Sequence, residues 1–97
     1  MAEHQYRSRP VVIEAFQMTE ERINSNMDWP SWLHEAWNLE PREVGSVYLH
    51  HTEPRRLAVM TLEGSRLLET DYWIIKGTKG VLYPCDPEIF AEKYEEV

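Results

Sequence analysis

The stretch Thr61–Tyr94, TLEGSRLLETDYWIIKGTKGVLYPCDPEIFAEKY, holds the densest set of local structural signals in the 97-residue chain. Within it, Tyr72 to Lys76 (YWIIK) is the richest cluster of β-forming residues. Upstream, Leu57 to Leu62 (LAVMTL) is apolar on both faces, as a central strand is. Glu63-Gly64-Ser65 is turn chemistry, and Arg66 to Glu69 returns from it as a hairpin. Thr70-Asp71 interrupts the run, with the Asp71 carboxylate expected on backbone amides. Gly77-Thr78-Lys79-Gly80 has glycine at both ends, where positive φ has no steric cost, and Val81 to Tyr83 returns beyond it. These signals predict a four-stranded meander. Asp86-Pro87-Glu88 then reads as a helix start, with a cap, a proline at the first helical position and an acid in the first turn. Ile89, Phe90 and Tyr94 give that helix an apolar face to close one side of the sheet.

Toward the N-terminus, Arg9 to Gln17 (RPVVIEAFQ) reads as a first strand, with Pro10 tolerated at its start. Alternation sets Glu14 on one face with Val12 and Phe16, and the usual exposure of Glu turns it to solvent on a partly covered face. Thr19 can cap a short helix over Glu20 to Ser25, whose leading glutamates suit the positive end of the dipole. Asp28 is the expected cap of a second helix, Trp29 to about Leu39, with Pro30 in its first turn. There Trp29, Trp32, Leu33, Ala36 and Trp37 recur at helical spacing. Such a stripe packs on a sheet. The functional alternative is that one or two indoles line a ligand or partner surface, where Trp is enriched. Truncating a core Trp costs roughly 3–5 kcal/mol, about half of a small domain's stability of ~5–10 kcal/mol, so alanine variants separate the two roles. Pro41 ends this helix. Val44 to His50 has strand character, and His50 to Arg56 (HHTEPRR) reads as a polar connection.

Together these segments predict a single α+β domain over residues 1–97. Its sheet is mostly antiparallel, of about five strands, with the Trp-rich and C-terminal helices packed on it. A hydrophobic share of 42% with 11% aromatic residues is that of a globular chain. The lone Cys85 excludes an internal disulfide and fits a reducing cytosol. The opening MAEHQYRSRP lacks the apolar core of a signal peptide, and no apolar run nears the ~20 residues of a membrane helix. A cytoplasmic protein without membrane contact is expected. Ten Lys and Arg against 17 Asp and Glu give a net charge of −7, which disfavours duplex nucleic acid. A small anion remains open to it, because Arg55-Arg56 acts at short range while distant charges are screened beyond ~8–10 Å.

No catalytic set stands out. In an extended segment the adjacent His50 and His51 point to opposite faces, poor geometry for one metal. His34 or Glu53 would complete a site only if the fold gathered them, and CxxC or HxxxH spacing is missing. Cys85 precedes a helix start, where a thiolate can be stabilised, but a free Cys is ordinarily a small buried hydrophobe. Walker, GxGxxG, GxSxG and HExxH patterns are absent. Lys76 and Lys79 flank the glycine turn, whose amides could meet an anion. Lysines there also serve simply to blunt a sheet edge.

The segments VVIEAFQMT (11–19), WPSWLHEAW (29–37), TLEG (61–64) and DYWIIKGTKGVLYPCDPEIF (71–90) together resemble a family of small uncharacterised phage and prophage proteins. The likeness touches nearly the whole chain. It implies a phage origin and action in the host cytosol during infection, and it transfers no catalytic residue or cofactor. Where the family commonly has a Pro-Gly turn before the aspartate, Glu69-Thr70 stands here. A loose likeness to cupin barrels lacks their His-x-His motif, so no metal chemistry comes with it. The resulting expectation is a non-enzymatic binding protein, one that sequesters a nucleotide-derived signal to counter host defence. Trp32, Trp37 or Trp73 would stack the base, and Arg55, Arg56 or Arg66, with Lys76, would hold phosphate. A homo-oligomer would complete the pocket. The alternative is an adaptor or inhibitor that anchors a host or phage protein through exposed Trp on an acidic surface.

Overall fold

Backbone pairing divides the strands at a point where the sequence pattern joins them. The computed structural model describes residues 12–41, 43–77, 79 and 81–96. In chain order these form β1 (Glu14–Gln17), α1 (Glu20–Asn24), α2 (Ser31–Trp37), β2 (Val47–Thr52), β3 (Arg55–Thr61), β4 (Gly64–Leu68), β5 (Trp73–Lys76), β6 (Leu82–Cys85) and α3 (Pro87–Lys93). The class is α+β. The expected single sheet of about five strands is corrected to two antiparallel sheets of three, ordered β1-β5-β6 and β2-β3-β4.

The division falls between Glu69 and Tyr72. Asp71 takes a left-handed φ of 69°, a conformation that Asp adopts more readily than most residues. Its amide donates to the Met18 carbonyl at 2.8 Å, and the Met18 amide donates to the Tyr72 carbonyl at 2.8 Å. The Gln17 amide group donates to the Asp71 carbonyl at 3.0 Å. These bonds lash the connection to the end of β1. Chain leaving β4 is therefore turned away from its hairpin partner and pairs with β1 instead. Asp71 does form the turn, but through its backbone, not the carboxylate bonds that the sequence suggests.

The core lies between the two sheets. Val47, Leu57, Val59 and Leu68 from one meet Ile74 and Leu82 from the other, and β6 runs close to β3 and β4. Ile23 of α1, then Trp29 just ahead of α2 and Leu33 and Ala36 along it, close the same cluster, as does Met18. The Trp-bearing helix is thus core on its Leu33 side, while Trp32 and Trp37 are half-buried against it. On the outer face of β1-β5-β6, α3 covers Trp73 with Phe90, the rings stacked 4.1 Å apart. No residue of α3 is fully buried, and Ile89, expected on the covering face, is exposed.

Several boundaries move for identifiable reasons. Thr19 caps α1 as expected, accepting from the Arg22 amide. Asp28 does not cap α2; it pairs with Arg22 at 3.1 Å, and Pro30 occupies the cap position without a side-chain bond. In the expected first strand, Val12 and Ile13 stay outside the ladder, and residues 9–11 lie outside the described residues. HHTEPRR is not a loop. His50 to Thr52 end β2 and Arg55-Arg56 begin β3, joined through a cis Glu53-Pro54 bond. The β3–β4 loop is Leu62-Glu63, and Gly64 opens β4 at φ 113°. Gly77 is not at positive φ. Lys79 takes that role at 67°, and the Tyr83 ring lies 3.3 Å from where a Gly77 Cβ would sit. Thr78 and Gly80, the remainder of the expected anion-binding turn, lie outside the described residues.

Candidate functional site

A five-residue helix leaves most of its carbonyls without partners, and the end of α1 assembles the clearest polar corner of the molecule. The Trp29 indole donates through Nε1 to the Arg22 carbonyl at 2.8 Å. Arg55, reaching across from the start of β3, donates through Nε to the Ile23 carbonyl at 2.9 Å. This fixes the Arg55 guanidinium, whose central carbon lies 6.0 Å from the Trp37 ring centre. Trp37 is in turn held edge-on by Trp29 at 5.7 Å. The terminal nitrogens of Arg55 donate to no partner among the described residues and remain available.

The other residues expected to bind ligand are dispersed. Arg56 forks onto Glu69 at 3.3 and 3.4 Å, and Arg66 pairs with Glu63 at 3.4 Å. The Arg66 pair is solvent-exposed and holds its arginine weakly, while the Arg56 pair is part-buried. Trp73 has one face on Phe90, which leaves it no free plate on that side. Lys76 sits at the far end of β5, between Glu14 and Leu82 in register. Only Trp37 and Arg55 of the seven come together.

Open grooves cut the surface formed by the described residues. One, of about 340 Å³, lies between the β3–β4 loop and β6 and is lined by Leu62, Arg66, Val81, Tyr83 and Pro84. Another, of about 550 Å³ and more polar, lies beside α1. Its Arg22 is engaged by Asp28, by the Gln17 carbonyl at 2.8 Å and by the Phe16 ring at 4.2 Å.

Cys85 is half-buried, and its Sγ donates to the Asp86 carbonyl at 3.6 Å. Desolvation pushes the thiol pKa up, Lys93 counters it in part and Asp86 adds to it. That direction favours the unreactive thiol and opposes a nucleophilic role. Among the described residues, no three His, Cys, Asp or Glu side chains gather as a metal cluster. No helix among them is long and apolar enough to cross a membrane.

The sequence missed the link from Arg55 to α1, which no local spacing encodes. It also missed the groove beside Leu62, formed by strands from different sheets. Compared with protein-family models, curated proteins and solved structures, the chain matches none.

Proposed function

We propose that this chain is a non-enzymatic binding protein of phage origin that sequesters a nucleotide-derived signalling ligand in the host cytosol. The supporting observation is the corner where Arg55, anchored on the Ile23 carbonyl, lies 6.0 Å from the Trp37 ring. An aromatic face beside a fixed guanidinium suits a base joined to a phosphate, the one by stacking and the other by forked hydrogen bonds. In this reading a second copy of the chain completes the pocket. A nucleotide panel followed by thermal unfolding tests it. A true ligand at 100 times its Kd adds about 2.7 kcal/mol of stability. Arg55→Lys keeps a donor for the Ile23 carbonyl but loses the planar fork, so the ligand-induced shift falls while the unliganded Tm holds. A panel that leaves Tm unchanged rejects the proposal.

A second reading, an adaptor or inhibitor of a host or phage protein, draws on the groove beside β6. Leu62 is 76% exposed at its mouth, next to Val81, Tyr83 and Pro84. An exposed apolar residue beside an apolar groove is a feature of protein contact surfaces. Leu62→Ser would then abolish capture of one partner and leave nucleotide responses untouched.

A further inference from the structure

The alternation that separates neighbouring side chains on a strand fails at one place in β2. Leu49 pairs with Leu57, but the next pair is His51 with Arg56, so His50 and His51 together face a single residue of β3. A bulge of this kind re-aims the side chains at the extra residue. The two imidazoles consequently meet edge to face with centroids 4.2 Å apart, instead of pointing to opposite faces as a regular strand requires. Both side chains are exposed. The geometric objection to a shared ion is removed.

We propose that His50 and His51 form a two-imidazole site for a divalent ion of borderline softness, zinc in particular, with water in the remaining positions. Neutral imidazole is a preferred nitrogen ligand for zinc, at about 2.0–2.1 Å. Two nitrogens on one tetrahedral ion stand roughly 3.3 Å apart by that geometry. Exposed rings whose centres are 4.2 Å apart reach this by rotating about their own side-chain bonds. The nearest cation in register, Arg56, is turned onto Glu69 at 3.3 Å, so its charge is compensated within the sheet. No third His, Cys, Asp or Glu side chain joins the pair among the described residues, which makes the site open and its ion exchangeable. Hard ions such as magnesium, which prefer oxygen, have no purchase on it.

Zinc chloride titrated into the full chain by calorimetry, with the histidine ring resonances followed in parallel, tests the assignment. The expected result is saturable binding of one ion that shifts both rings and is not reproduced by magnesium chloride. His50→Ala and His51→Ala each weaken it on the order of tenfold or more. Both positions are exposed, so the variants retain the fold. The site is overturned if the double variant binds zinc with unchanged affinity, or if zinc leaves the two rings' resonances in place.

Discussion

The helices α2 and α3 are of equal length, seven residues each, yet they are held in place by opposite means. α2 has no side-chain cap, only Pro30 at its N-terminus, but it drives Leu33 and Ala36 into the core. α3 is well capped: Asp86 accepts from the Glu88 amide at 2.8 Å and the Ile89 amide at 3.4 Å, with Pro87 at the first helical position. It buries no residue fully and rests on the Trp73–Phe90 stack. One helix exists because of tertiary burial, the other largely because of its own chemistry. Short helices are marginal in water by themselves, so each needs one of the two supports.

The largest effect that would break this contrast comes from truncating each helix's main anchor. Leu33→Ala should cost about 2–5 kcal/mol, since Leu33 is 0% exposed and leaves a cavity between the sheets. Phe90→Ala should cost only about 1–2 kcal/mol, because the ring is half in water and loses mainly its stacking. Urea unfolding of both variants measures the difference. Equal losses would mean that α3 belongs to the core after all.

Next in size is a comparison of two aspartates that both precede a helix and a proline. Asp86→Ala removes a functioning cap and should cost about 1 kcal/mol, with hydrogen exchange accelerating across α3. Asp28→Ala removes only an exposed ion pair with Arg22 and should cost about 0.5 kcal/mol or less. A larger loss at Asp28 would show that it supports α2 in a way its bonds do not reveal.

The same contrast explains how much the sequence disclosed. Asp86-Pro87-Glu88 and Thr19-Glu20-Glu21 were legible because capping acts within four residues. The start of α2 was misplaced because Asp28 resembles a cap, while Arg22, six residues back, claims its carboxylate. YWIIK was legible as a strand, but its partner was not. Pairing with β1 depends on bonds between Met18 and the Asp71–Tyr72 backbone, more than fifty residues apart. At the candidate site, Trp37 and Arg55 could be named by type, since indoles and guanidiniums are rarely idle together. Their meeting could not, because it is created by the Ile23 carbonyl. The bulge at His50 has no signature in HHTEPRR at all.

The smallest effect concerns the surface under α3. Tyr83, on the same face of β6 as Cys85, is pushed up from 10.0 to about 12, first by desolvation and then by the neighbouring Tyr94 hydroxyl. An acid held neutral in the folded state has a definite sign in linkage. Below pH 10 both states keep the proton, and the folded state retains the full benefit of the neutral phenol. Between pH 10 and about 12 the unfolded chain releases its proton first, so stability falls across that window. Tyr83→Phe cannot ionise, and its stability should decline less steeply over the same range than that of the parent. The readout is the difference between the two alkaline unfolding curves, which cancels the lysines and other tyrosines titrating there. Superimposable curves would mean that α3 does not shield this phenol from water, and that the C-terminal helix is held by its cap and the Phe90 stack alone.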